Sequence, residues 1–287
     1  MATTTHAKRL EAGRRVFSRV LVGVDGSAGS LEAARQAALL QDPAGKLTLL
    51  SSWEVAPVIG MAGGEMPYYP DEDVQRRAAE RALARARDSI ASYTPATSKL
   101  VRGAPAIRLL AEIEQDGDTL VAIGSSGSSR LLGIVERSVA TTIVHRSRCS
   151  VLVARPTRDG FPGRIVVGVD GSVESAAAYA AARYLAERFD AELHALVAWG
   201  GKRVSERLVT AVTGGEHTHS PETPAEAIAH AAETADFVVV GSRGLHGLSS
   251  LGSVSERVAH AVGCSTLVVR EPAREHIATE LGRGEHA

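Results

Sequence analysis

The sequence predicts an α/β protein of two tandem open sandwiches, each a five-stranded parallel, Rossmann-like sheet covered by helices on both faces. Two observations carry that prediction. The chain repeats itself: Val20-Leu-Val-Gly-Val-Asp-Gly-Ser27 returns as Ile165-Val-Val-Gly-Val-Asp-Gly-Ser172, and Ala122-Ile-Gly-Ser-Ser-Gly127 returns as Val239-Val-Gly-Ser-Arg-Gly244. Such self-similarity marks a duplicated structural unit. Within each copy, short β-branched apolar runs alternate with alanine-rich stretches of helical length, the pattern of a parallel sheet buried on both faces.

In the first copy the apolar runs place strands at 19–24, 46–53, 97–102, 119–123 and 150–154. Helices fill the gaps at 29–41, 71–92, 105–115 and 138–146, and each crossover between parallel strands is right-handed. The offset between matched residues is 145 at Asp25 and Asp170 and 146 at Trp53 and Trp199, so the front of each copy is intact. It falls to 119 at Pro105 and Pro224, which makes the second copy 27 residues shorter between its tryptophan and its next proline. It falls again to 117 at Gly127 and Gly244 and to 115 at Cys149 and Cys264.

The segment 54–92 holds a Pro/Gly loop with Met61, Met66, Tyr68 and Tyr69, then a long helix rich in Ala and Arg. The second copy has no full equivalent, so part of one sheet face there needs another cover. Val204, Leu208 and Val212, spaced by four, suit a short replacement helix ended by Gly214-Gly215. The competing assignment makes 208–212 the third strand and 216–222 a loop.

Length and composition agree with two domains, expected at 18–155 and 163–271, with flexible tails at 1–17 and 273–287. A net charge of −1 and a hydrophobic fraction of 44% give neither a basic nucleic-acid footprint nor a disordered composition. Residues 1–17 carry four positive side chains and no apolar run, so no signal peptide or membrane anchor is read there and a cytoplasmic location is expected. Neither nucleic acid nor membrane is an expected partner. Cys149 and Cys264 read as small buried hydrophobes before apolar strands, and Trp53 and Trp199 read as core packing.

In an open parallel sheet, ligands bind beyond the carboxyl ends of the strands where the strand order reverses. Asp25 and Asp170 lie at the exit of the first strand of each copy, where a carboxylate can reach a sugar hydroxyl. An aspartate and serine there also stabilise a strand-to-helix turn. After the fourth strand, close-spaced glycines permit main-chain N–H groups to converge on an anion. In the second copy the next helix opens with Ser253 and Glu256 as a capping box, its positive end facing the same space. A phosphate suits that place.

These residues resemble the universal stress protein family in its tandem, two-domain form, over about 18–155 and 163–271. The resemblance implies an adenine nucleotide alpha hydrolase-like fold, an aspartate after the first strand, and a loop of Gly, two residues, Gly, nine residues, then Gly and Ser or Thr. The first copy has Gly124 and Gly127 with nine residues following, then Arg137-Ser138 in place of Gly-Ser. The second keeps Gly241, Gly244, Gly252 and Ser253, with seven residues between the second and third glycines. Arg137 brings a β-carbon where the backbone needs close approach, while its guanidinium suits a phosphate. The adenine positions implied by the resemblance are Ser52 and Ala198.

The resemblance thus implies ATP or a related adenine nucleotide, with or without Mg²⁺, in one or both copies of a stress-response regulator or protective factor. It also implies pairing of the two domains through 150–154 and 265–269, and a homodimer is expected to cover what the missing helix exposes. A tandem scaffold that binds protein rather than nucleotide is the competing class.

No catalytic constellation accompanies the loops: there is no Walker Gly-Lys-Ser/Thr, no Gly-x-Ser-x-Gly elbow and no Cys-x-x-Cys. The Ser-Gly-Gly-x-Asp-Ser loop of an adenylating ligase is missing from the first strand exit. Slow ATP hydrolysis is the most that is expected. No metal centre is expected either; His217 and His219 make only a weak two-histidine pair. His145 and His260 match between copies and suit helix ends. Ser128, Ser129, Ser249 and Ser250 are candidate phosphorylation sites.

Overall fold

The computed structural model describes residues 17–55, 71–117, 119–125, 139–157, 161–200, 204–242 and 254–270. The first copy comprises β1 (Arg19–Gly23), α1 (Ala28–Leu40), β2 (Lys46–Trp53), α2 (Glu72–Ile90), β3 (Ala96–Arg102), α3 (Pro105–Asp116), β4 (Leu120–Gly124), α4 (Val139–Arg146) and β5 (Ser150–Ala154). These bounds lie within two residues of those predicted. The second copy comprises β6 (Arg164–Gly168), α5 (Val173–Phe189), β7 (Glu192–Ala198), α6 (Glu206–Thr213), β8 (Thr218–Ser220), α7 (Pro224–Ala231), β9 (Phe237–Gly241), α8 (Val254–Ala261) and β10 (Ser265–Val269).

All ten strands join one sheet in the order β3-β2-β1-β4-β5-β10-β9-β6-β7-β8. Every pairing within a copy is parallel, and the order of each half reverses between its first and fourth strands. One apolar layer, which includes Phe17, Leu47, Leu83, Leu185, Val209 and Phe237, packs on one face of the sheet through both copies. A second layer, from Leu21 and Leu109 to Ile228 and Val268, packs on the other.

The long helix α2 turns one stripe inward, Ala79, Ala82, Leu83, Ala86 and Ile90, at the three-to-four spacing of an amphipathic helix. Its substitute α6 is eight residues long and ends at Gly214 and Gly215, with φ of 71° and 94°. Both values favour glycine. The replacement helix is therefore present, and the third strand is Thr218–Ser220 rather than 208–212. The buried stripe runs through Val209 and Thr213, leaving Leu208 53% exposed.

The copies meet through β5 and β10, which pair antiparallel with Leu152 opposite Leu267, Val151 opposite Val268 and Val153 opposite Thr266. Leu152 and Leu267 are themselves repeat equivalents, so a local two-fold axis passes between them. Side chains obey it. Arg155 donates through its backbone N to Ser265 Oγ at 3.0 Å, and Arg270 likewise to Ser150 Oγ at 3.1 Å. The Arg155 guanidinium reaches Ala259 O (2.7 Å) and Cys264 O (3.2 Å), while that of Arg270 reaches Val144 O (2.5 Å) and Ser147 O. Each copy thus sends an arginine to the carboxyl end of the other copy's last helix, where a cation complements the helix dipole.

Cys149 and Cys264 form no disulfide and are 7% exposed, as expected of small buried hydrophobes. Burial pushes the Cys264 thiol up to about 11.

Candidate functional site

The two strand-exit turns are near copies of one another. Asp25 Oδ1 accepts from Ser27 N (2.9 Å) and Ser27 Oγ (2.5 Å), and Asp170 Oδ1 accepts from Ser172 N (3.0 Å) and Ser172 Oγ (2.5 Å). Ser27 and Ser172 in turn cap α1 and α5 by accepting from Ser30 N and Ser175 N, each at 3.2 Å. Ser30 Oγ and Ser175 Oγ accept from the aspartate backbone N–H groups at 3.3 Å. Gly26 and Gly171 complete the turns at φ of 81° and 80°. The serines at 30 and 175 escaped the sequence reading, although the repeated Asp-Gly-Ser-x-x-Ser carried their signal. Each carboxylate is held with one oxygen committed to its own turn.

Gly124 and Gly241 end β4 and β9 on the other side of each switch point. A β-carbon on Gly124 would lie 2.6 Å from the carbonyl carbon of Gly29, and one on Gly241 2.6 Å from Glu174 O. The first glycine of each loop is thus required by close packing of α1 or α5 against the sheet, a demand separate from any approach of a ligand. Gly127, Arg137, Ser138, Gly244, Gly252 and Ser253 lie outside the described residues, as do the four candidate phosphorylation serines.

In the second copy the switch point opens into a cavity of about 510 Å³. Asp170, Ala198 and Gly241, from the exits of three different strands, line it together. Leu196, Ile228 and Val240 supply apolar wall, and Trp199, Ser205 and Leu208 belong to its rim. Ser255 Oγ donates to Gly241 O at 2.8 Å, tying the first turn of α8 to the end of β9. This volume and mixed lining are those of small-molecule sites, roughly 300–1,000 Å³. A larger cavity of about 720 Å³ lies at the opposite rim of the sheet among Glu226, Glu233, Asp236 and Cys264. Its carboxylates oppose an anion, and it lies away from the strand exits of the second copy.

Trp199 is 39% exposed and stacks on His219, ring centroids 5.0 Å apart. It is therefore a rim residue rather than a core one. Trp53 is half-buried, and its Nε1 donates to Glu72 Oε1 at 3.4 Å. The adenine positions differ likewise: Ser52 is half-buried and Ala198 buried. At the first-copy turn, α2 brings Ala82 within 3.2 Å of a β-carbon on Gly26, and Arg85 Nη1 donates to Gly26 O at 3.2 Å. In the second copy Leu208 of α6 takes that place, 2.8 Å from a β-carbon on Gly171. His145 sits in the last turn of α4, where a histidine suits the helix end.

A doubled α/β sandwich with matching aspartate turns at both switch points defines a tandem, Rossmann-like architecture. A model of the universal stress protein family matches residues 17–155 and 205–270, and the chain belongs to that family. A universal stress protein of Mycobacterium tuberculosis H37Rv is 29% identical over 290 residues, covering 88% of this chain and 97% of its own. Another from the same organism is 28% identical over 292 residues, covering 88% and 96%. The crystal structure of a universal stress protein from Archaeoglobus fulgidus has the same fold, with a TM-score of 0.67 at 21% identity over 90% of this chain and 97% of that one. Among the described residues no helix is long and apolar enough to cross a membrane.

Proposed function

We propose that the shortened copy binds ATP or a related adenine nucleotide in its switch-point cavity, with Mg²⁺ accompanying a triphosphate. One observation carries this reading: Asp170, Ala198 and Gly241 converge on a single cavity of ligand size. In it the adenine lies along the apolar wall by Ala198, the ribose hydroxyls meet Asp170, and the phosphates extend past Gly241 toward the glycine-rich segment. The protein then acts in the cytoplasm as a stress-response regulator or protective factor, with ATP turnover slow at most.

A scaffold reading has its own support. The Asp170 turn and the Gly241 packing are each accounted for by the fold without a ligand. Exposed Val173 and Leu208 beside the shortened copy offer two chains a surface for pairing as a homodimer. Calorimetric titration of nucleotide-free protein with ATP separates the readings. Nucleotide binding predicts saturable heat that Asp170→Ala abolishes. A wild type that gives no heat and no shift in melting temperature favours the scaffold.

A further inference from the structure

We propose that Glu206, His217 and His219 form a binding site for a divalent transition metal of the zinc class at the edge of the shortened copy. One ligand atom from each of the three lies within 4.8 Å of the others. His217 Nε2 is 2.9 Å from Glu206 Oε1, and His219 Nε2 is 3.4 Å from Glu206 Oε2. Tetrahedral zinc, at about 2.0–2.2 Å from imidazole nitrogen and carboxylate oxygen, separates its ligands by about 3.3–3.5 Å. Small side-chain rotations reach that geometry, and two histidines with one carboxylate leave the fourth position open for water or a ligand.

The elements explain the convergence. Glu206 is the first residue of α6, and the chain reverses at Gly214 and Gly215 before entering β8. His217 and His219 are two residues apart in that extended run, so they share a face. Thr213 orients His217: its Oγ1 accepts from Gly215 N (3.2 Å), donates to Val209 O (3.1 Å) and lies 2.9 Å from His217 Nδ1. With the hydroxyl proton on Val209, Nδ1 is the donor to Thr213. In that tautomer His217 Nε2 turns its lone pair toward the space beside Glu206, open to a metal; in the other, Nε2–H donates to Glu206 Oε1 and metal binding displaces that proton. A ligating histidine that gives its other N–H to an oxygen is the common outer-shell arrangement of metal sites.

The rings are also held in place. The His217 side chain is only 5% exposed. His219 lies stacked on Trp199 and edge-on to His217, with centroids 5.0 and 4.9 Å apart. Among the described residues the first copy has nothing comparable: by sheet register Thr218 and His219 correspond to Lys99 and Leu100, and Lys99 there pairs with Glu112 and Asp116. Nitrogen and carboxylate donors together favour zinc and its neighbours over Mg²⁺ or Ca²⁺, which prefer oxygen alone. None of the three ligands lines the nucleotide cavity, and Trp199 stands between the two sites.

The test uses the full chain without an affinity tag, stripped with chelator and titrated with Zn²⁺ by calorimetry. One site per chain is expected, weakened by at least about 100-fold in His219→Ala and in Glu206→Gln, beyond the loss of a mere outer-shell partner. Ring-nitrogen NMR of the wild type with Zn²⁺ gives a readout independent of the folding of any variant, with shifts expected at His217 and His219. No Zn²⁺ binding by the wild type, undiminished binding by both variants, or shifts confined to the chain's other histidines overturns the proposal.

Discussion

Replacing Arg270 by methionine tests the reciprocal latch between the copies. Arg270 is 6% exposed, and its guanidinium serves Val144 O and Ser147 O at the end of α4. Methionine fills similar space without a donor, leaving both carbonyls short of a partner, at about 1–3 kcal/mol each. Removing a cation that burial already holds below the ordinary arginine pKa offsets part of this. A net loss of about 3 kcal/mol follows, equivalent to a fall in melting temperature of about 6–12 °C for units of this size. Arg155→Met, the equivalent on the other side of the axis, should give a smaller loss, because Arg155 is half-buried and its bond to Cys264 O is long, at 3.2 Å. Differential scanning calorimetry measures both. If Arg270→Met melts within a degree or so of wild type, the latch does not hold the copies together and the reasoning fails.

Three further predictions follow from single residues. Gly171→Ala and Gly214→Ala both force a left-handed conformation, at about 1 kcal/mol. Only the first also drives a β-carbon to 2.8 Å from Leu208, whereas nothing lies within 4 Å at Gly214, so urea midpoints should fall further for Gly171→Ala. Burial raises the Cys264 pKa to about 11. At pH 8 its neutral thiol is favoured in the fold, and a thiol-specific reagent should label Cys264 only after denaturant is added. Trp199 on the rim should report ligands: in a Trp53→Phe background, ATP and Zn²⁺ should each change its fluorescence, and a spectrum indifferent to both would contradict its placement.

The alternation of apolar runs and alanine-rich stretches located the strands and helices of the first copy, because a parallel sheet buried on both faces leaves few other solutions. The replacement helix was legible from Gly214-Gly215, and Val204 and Val212 do pack on the core, but Val209 and Thr213 rather than Leu208 carry its fully buried face. Val209 and Thr213 face inward because α6 must also place Leu208 against Gly171. The aspartates were legible as strand-exit groups, but their bonds to serines two residues on compete with a ligand for one oxygen, and spacing alone does not rank those partners. Trp199 was misread as core, since its place at the end of an apolar strand does not reveal that it stands on the cavity rim, stacked on His219. Arg155 and Arg270 carry no local motif; their roles exist only once β5 meets β10. Glu206 joins His217 and His219 across a turn, which the spacing of the two histidines does not reveal.

The central claim is tested most directly by a crystal structure of the wild-type chain grown with ATP. The account predicts nucleotide density in the second copy, with its base along Ala198 and its ribose at Asp170. A well-ordered second copy whose cavity holds only water at saturating ATP would contradict it.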